Sequence, residues 1–381
     1  MKISCITGTR ADYPRVRSVL REIVSRKNLE LDILVTGSHL LPEYGLSKNE
    51  ILEDGFDISE EIAMYESNFD TPYGMAKAAA NCSSGLADAL KRSSPDLVLL
   101  TVDRVETLAA AMTASLMNFP IAHIQGGEVT GTIDESIRHA VTKLSHIHFA
   151  ATDDAKQRIL NLGEIPENVY NTGCPYIDEI NSAKLLTKSN LCSKYGFNES
   201  KELIIFTQHS VTTEYASSLE QIKITLEALK EVDKDYEIVC FFSNADAGGK
   251  SIIDEISKQS NFLIIPNMLS NDFLSLMKIS KLMIGNSSAG IREAPSFKLP
   301  VINIGTRQNG RLRAKNVIDV NHDIDQIKKA LSKVLSDNSF EESLKEIENP
   351  YGDGSAAIQI VDILESIKIT PSLIQKMIHY E

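Results

Sequence analysis

The chain has 381 residues, 43% of them hydrophobic, and its 39 Lys and Arg against 52 Asp and Glu give a formal charge of −13. That length suits two domains, each large enough to bury its own core. The acidic balance opposes general binding to nucleic acid or to an anionic membrane surface, so an anionic ligand has to be met by locally placed positive groups.

The chain opens Met1-Lys2-Ile3-Ser4-Cys5-Ile6-Thr7-Gly8, too short and too interrupted an apolar run for a secretory leader. No window reaches the ~20 apolar residues of a membrane span. The five cysteines are scattered and form no C-x-x-C pair, which suits reduced thiols in a cytoplasmic protein better than disulfides or a zinc site. From there, short β-branched runs bounded by Gly, Asp or Pro alternate with longer amphipathic stretches, the pattern of βαβ units. Strands are expected over 3–7, 31–36, 97–102, 120–124 and 147–150, with helices over 15–23, 107–116 and 135–144. A Gly173-Cys174-Pro175 turn and a polar stretch over 184–201 separate these from a second series, expected over 203–207, 237–242, 262–265, 282–284 and 301–304. Beyond Asn349-Pro350-Tyr351-Gly352-Asp353-Gly354, helices are expected over 356–367 and 373–378. The fold class is therefore α/β, with two doubly wound Rossmann-like domains and a cleft between them.

Ligands of such sheets bind beyond the carboxyl ends of the strands, and the residues there are polar and Gly-rich. Gly285-Asn286-Ser287-Ser288-Ala289-Gly290 precedes a helical Ile291-Arg292-Glu293-Ala294, where backbone N–H groups and hydroxyls can hold a phosphate or simply cap a helix. Glu293, a turn into that helix, is placed to accept from ribose hydroxyls. Arg10, Arg104 and Arg307 each follow a strand and together suit a diphosphate, although each alone reads as a surface ion pair. Asp103, Glu128 and Asp134 form an acidic set that can divide into acid and base; Asp134 equally suits the cap of the helix over 135–144. His209 suits a donor to a phosphate or leaving group, with His39 a weaker candidate. His146 and His148 share a strand face without a third ligand nearby, which favours core histidines over metal. No G-x-S-x-G, Walker or GxGxxG motif occurs.

Gly8-Thr9-Arg10-Ala11-Asp12-Tyr13, together with Gly126-Gly127-Glu128-Val129-Thr130-Gly131-Thr132-Ile133-Asp134-Glu135-Ser136-Ile137-Arg138-His139, resembles the hydrolysing UDP-N-acetylglucosamine 2-epimerases of sialic acid biosynthesis. The likeness continues in order through Asn244-Ala245-Asp246-Ala247-Gly248, Gly285-Asn286-Ser287-Ser288, Gly305-Thr306-Arg307-Gln308 and Tyr351-Gly352-Asp353-Gly354. It implies a glycosyltransferase-B-like architecture, with residues 1–175 as the first domain, 176–365 as the UDP-binding domain, and a C-terminal helix over 366–381 packed back on the first. It implies a reaction without metal or NAD, in which UDP is eliminated to leave a 2-acetamidoglucal and water adds to give N-acetylmannosamine and UDP. It maps Arg10, His39, Arg104, His209, Asn244, Met268, Ser287, Ser288, Glu293 and Arg307 onto UDP or substrate contacts. The catalytic set it implies is Asp103, Gln125, Glu128, Asp134 and His209, and the assembly a homodimer or homotetramer.

Two positions depart from the family pattern. Gln125 stands where many members carry Glu and cannot exchange a proton, which leaves it to orient substrate or water and leaves Glu128 to share the acid/base work. Ser210 follows His209 where many members have Pro. Relatives with such a Gln include epimerases of UDP-2,4-diacetamido-2,4,6-trideoxyglucose in legionaminic acid pathways, so that sugar stands as the alternative substrate. A non-hydrolysing epimerase that returns UDP to the glucal is a further alternative.

Overall fold

The computed structural model describes residues 1–9, 12–42, 45–66, 71–129, 133–243, 249–265, 268–336 and 338–379. The chain divides into two units, Met1–Glu179 with Tyr351–Glu381, and Ile180–Pro350. In the first unit lie β1 Lys2–Thr7, β2 Glu30–Thr36, β3 Glu60–Ile62, β4 Leu97–Thr101, β5 Ile121–Ile124, β6 Ile147–Ala150 and β7 Val169–Asn171. In the second lie β8 Glu202–Thr207, β9 Tyr236–Phe241, β10 Leu263–Ile265, β11 Leu282–Gly285, β12 Val301–Ile304 and β13 Val317–Val320. Among the described residues the sheets have the orders β3-β2-β1-β4-β5-β6-β7 and β10-β9-β8-β11-β12-β13, and every pairing is parallel. Each unit is thus a doubly wound α/β fold of the expected class. The order of crossover reverses between β1 and β4 in one sheet and between β8 and β11 in the other, which opens a crevice at each strand end.

The period of two explains why the central strands are apolar along their whole length. Ile3, Cys5, Ile33, Val35, Leu97 and Leu99 face one side of the first sheet, under Val19, Leu20 and Ile23 of helix Arg17–Ser25 and Ile360, Val361 and Leu364 of helix Ala356–Ser366. Ile6, Leu34, Val98 and Leu100 face the other, under helices Pro72–Ser93 and Val105–Leu116. A strand covered on both faces shows no polar alternation. β3, β7 and β13 were not expected from the sequence. They are edge strands of three or four residues carrying Glu60, Glu61, Asn171 and Asp319, so neither length nor apolar pattern reveals them.

The chain returns to the first unit at Tyr351, earlier than the expected 366. The Tyr351 carbonyl accepts from the Cys174 N–H at 2.7 Å. Both Asp178 oxygens accept from the first amides of helix Ala356–Ser366, at 3.2 Å from Ala356 and 2.6 Å from Ala357, a side-chain cap supplied from a distant segment. The expected helix over 373–378 is a single turn, Pro371–Ile374. Past it Lys376 Nζ donates to Glu164 Oε2 at 2.6 Å and to the Thr142 and Ser145 carbonyls, while the His379 N–H donates to the Gly163 carbonyl at 2.9 Å. These bonds satisfy the segment without a further helical turn.

Glu164 is also bonded by Lys143 and by Nε2 of the buried His148. Burial alone would raise its carboxyl, but these three donors hold it down at about 2, from 4.5. A depressed carboxylate contributes stability that is full above its unfolded value and lost as pH falls through the folded one. Glu164→Gln is therefore expected to destabilise the first unit by about 3 kcal/mol at pH 7 and to flatten its stability profile between pH ~5 and ~2, as read by urea unfolding at several pH values. An unchanged acid limb would remove Glu164 as its source. The His146–His148 pair thus serves the core. His146 Nδ1 accepts from the Ile121 N–H at 3.0 Å, and among the described residues no His, Cys, Asp and Glu cluster could hold a metal. Cys5, Cys82, Cys174, Cys192 and Cys240 are all buried. Among the described residues no helix is long and apolar enough to cross a membrane.

Candidate functional site

The chemistry of the first unit gathers where β4 and β5 end. The residues that leave these strands, Val102 and Gln125, have φ of 58° and 64°, a left-handed conformation that is rare for a non-glycine residue and an outlier for a β-branched one. Val102 is held in it by Nε2 of the buried His123, which donates to its carbonyl at 2.7 Å. Burial pushes His123 down to about 3, so the ring is neutral and serves as a donor. The turn at Val102 re-aims the next residue, Asp103, away from the sheet.

Asp103 Oδ2 is bonded by Arg138 of helix Ile133–Leu144. Arg138 is the largest fully buried side chain, 1% exposed, and its Nη1 also donates at 2.6 Å to Glu135 Oε2 and to the Glu128 carbonyl. One guanidinium thus fixes Asp103, the loop at Glu128 and the start of the helix that carries Asp134. Burial raises Asp103 above the usual carboxylate range against the pull of Arg138, and Asp134 and Glu128 raise it further. The structure brings the three sequence-predicted carboxylates together. Asp134 sits inside the first turn of its helix, not at the cap, where the helix dipole favours a negative charge.

Gln125 is 2% exposed; its carbonyl accepts from Arg15 at 2.8 Å and its amide meets the Cys174 thiol. His39 is wholly buried, with Thr7 Oγ1 at 3.0 Å from Nε2 and Ser47 Oγ at 2.8 Å from Nδ1, and burial lowers it to about 4. Both of its nitrogens serve these hydroxyls. Arg104 is exposed. Partial desolvation by its neighbours tends to lower its guanidinium, yet Glu106, Asp134 and Asp12 leave it raised. Arg10 lies outside the described residues.

In the second unit the organiser is Asn286, 1% exposed, which the sequence did not single out. Its Oδ1 accepts from the His209 N–H at 2.7 Å and its Nδ2 donates to the His209 carbonyl at 2.8 Å, which clamps the loop after β8 to the loop after β11. Its own carbonyl accepts from Arg307 at 3.2 Å and Gln308 at 2.8 Å, which adds the loop after β12. Gly285 allows the approach. Its φ is 128°, and a Cβ there would lie 1.9 Å from the Thr207 carbonyl oxygen. His209 is pushed down to about 4 by burial and by Arg307, so it is a neutral ring beside a cation.

Ser287 Oγ accepts from the Ala289 N–H at 3.3 Å, and the helix it opens, Ala289–Arg292, is one turn long. Glu293 therefore stands at the end of that turn and not within a longer helix, because Pro295 has no N–H to continue it. Ser288 is half-buried beside Ser287. Met268 lies two residues before helix Ser270–Ile279. Asn244 lies outside the described residues. In the sequence Asn286 and Arg138 are only further polar residues of the polar stretches Gly285-Asn286-Ser287-Ser288 and Glu135-Ser136-Ile137-Arg138-His139.

A family model described as UDP-N-acetylglucosamine 2-epimerase matches residues 21–365. A hydrolysing UDP-N,N'-diacetylbacillosamine 2-epimerase from Legionella pneumophila is 37% identical, with 98% of each chain covered. A Campylobacter jejuni protein named as the hydrolysing GDP/UDP-N,N'-diacetylbacillosamine 2-epimerase is 39% identical over 88% of this chain and 89% of its own. A UDP-N-acetylglucosamine 2-epimerase from Neisseria meningitidis serogroup B is 34% identical, with 89% of each covered. The fold matches a crystal structure of UDP-GlcNAc 2-epimerase from Neisseria meningitidis bound to UDP-GlcNAc, with a TM-score of 0.84 at 24% identity, over 96% of this chain and 100% of that one. With two doubly wound units, a gathered acidic set and these relatives over nearly its whole length, the chain belongs to the UDP-N-acetylglucosamine 2-epimerase family and is a UDP-sugar 2-epimerase.

Proposed function

We propose that the enzyme is of the hydrolysing kind and acts on a UDP-activated 2-acetamido sugar. The C2 proton leaves with UDP to give a 2-acetamidoglucal; water then adds its hydroxyl at C1 and a proton at C2 from the opposite face, releasing the manno-configured sugar and UDP. The observation that carries this is the gathering of the carboxylates Asp103, Glu128 and Asp134, with Asp103 raised above its ordinary value by burial, the direction that favours a group exchanging protons. Gln125 orients, since its amide is engaged by Arg15 and Cys174. The family resemblance assigns Arg104 of the first unit, and Arg307, Ser287, Ser288 and the neutral His209 of the second, to the departing UDP, where such donors match charge that grows as the bond breaks. Glu293 and Met268 are assigned to its nucleoside, and Arg10 and Asn244 to its grip by the family resemblance alone.

The relatives from Legionella and Campylobacter support UDP-N,N'-diacetylbacillosamine as the first substrate to try, the alternative of the sequence analysis, ahead of UDP-N-acetylglucosamine. Both sugars are incubated side by side in deuterated water. The expected product is a free manno-configured sugar with deuterium at C2, in larger yield from the diacetamido substrate. An intact nucleotide sugar would convert the reading to a non-hydrolysing epimerase, and unlabelled gluco sugar would exclude epimerisation.

A further inference from the structure

Three positions in the chain place an Asn or Asp directly before a glycine: Asp54-Gly55, Asn309-Gly310 and Asp353-Gly354. At such a pair the glycine nitrogen can attack the side-chain carbonyl and close a succinimide, because no Cβ on the second residue hinders the approach. The structure closes off two of the three. Asp54 is held by the Tyr13 hydroxyl at 2.7 Å, by Arg17 at 3.3 Å and by Arg21 at 2.9 Å. Asp353 accepts from the Ser355 N–H at 3.0 Å and from its hydroxyl at 2.5 Å. Asn309 differs. It and Gly310 are exposed between β12 and β13, in a turn that the Asn309 N–H closes by donating to the Thr306 carbonyl at 2.9 Å. Among the described residues neither the Asn309 side chain nor the Gly310 N–H has a hydrogen-bond partner.

We propose that Asn309 is a site of spontaneous deamidation, and that the modification loosens the loop that carries Arg307. The Gly310 nitrogen gives up its proton and adds to Cγ of Asn309, whose side-chain nitrogen leaves with that proton as ammonia. The succinimide then takes up one water and opens at either carbonyl, to aspartate or isoaspartate. On both sides of the tip the loop is fixed. Gln308 Oε1 accepts from Arg311 at 3.1 Å and the Gln308 carbonyl from Arg313 at 2.9 Å, while Gln308 Nε2 and Arg307 both donate to the Asn286 carbonyl. Opening to isoaspartate inserts a methylene into the backbone between Gln308 and Arg311, which strains this clasp. Either product adds a carboxylate to a segment whose flanking cations are Arg307 and Arg311, and that charge opposes an anionic ligand. Asn286 is protected from the same reaction, since its Oδ1 and Nδ2 are both bonded to the His209 backbone.

The modification is read without substrate. The intact enzyme is kept warm for days in mildly alkaline buffer, which favours loss of the Gly310 proton, and is then cleaved after lysine. The fragment between Lys298 and Lys315 is expected to show the mass of an amide exchanged for a carboxyl, placed at position 309 by fragmentation, and to be labelled by an isoaspartyl methyltransferase. Asn309→Gln should lose that label and turn over as fresh wild type does. An aged wild type without the label, or a label on this fragment that survives in Asn309→Gln, overturns the site. The effect on the ligand rests on the proposed assignment of Arg307 to UDP. In calorimetric titration Asn309→Asp is expected to bind UDP about three- to tenfold more weakly than wild type, and the aged enzyme to weaken in step with its label. Arg307→Met is titrated beside them. If it alone weakens UDP binding, the coupling of the tip to the grip is overturned; if none of the three does, the assignment of Arg307 fails and the deamidation site stands.

Discussion

Asp103→Asn is expected to lower UDP-sugar turnover by about 10²–10⁴-fold, the range that a positioned general acid or base supplies, while UDP affinity stays close to wild type. The amide keeps the shape of the carboxylate and an oxygen for Arg138, whose charge Glu135 still meets, so the loss of stability is expected to be smaller than that of removing Arg138 itself. It cannot take the C2 proton. Initial rates of UDP release, with calorimetric titration of UDP into the same preparation, separate the two effects. A variant that turns over at near the wild-type rate would take Asp103 out of the acid/base set and leave Asp134 and Glu128 to carry it.

Arg138→Met has a different signature. It removes the cation that Asp103 and Glu135 share, and the donor to the Glu128 carbonyl, from a position where the side chain is 1% exposed. Breaking a buried pair from one side leaves charge without a partner and costs about 3–5 kcal/mol. Urea unfolding is expected to show that loss and assays to show little turnover, because Asp103 loses both its direction and the charge that offsets its burial. Arg138→Lys keeps the charge and should recover part of the stability but little of the geometry, since one ammonium cannot reproduce the fork. If Arg138→Met unfolds within about 1 kcal/mol of wild type, the cation is not what offsets the burial of Asp103.

The sheet was legible where physics imposes a pattern. β4 is five apolar or β-branched residues bounded by Asp96 and Asp103, and such a run has few other homes. The polar strand ends followed, because a parallel sheet leaves its ligand crevice there. What stayed hidden depends on partners far away in sequence. Asn286 reads as one more polar loop residue until the backbone of His209 lies against it. Glu106 reads as an acidic residue early in a helix, and only Gly8 and Gly37 packed against it show that it is buried. The edge strands were hidden for the opposite reason: three residues such as Glu60, Glu61 and Ile62 become a strand because β2 offers its free edge.

The first unit is made of two stretches of chain that are far apart in sequence, and this sets an order of events during synthesis. Helix Arg17–Ser25 emerges early with Val19, Leu20 and Ile23 on its inner face, but Ile360, Val361 and Leu364 that complete this layer come after residue 350, when the whole second unit has already left the ribosome. Until then that apolar layer lacks part of its cover, and Asp178 has no amides to cap. The second unit is continuous in sequence and can close as soon as Pro350 is out, so the unit begun first is the one finished last.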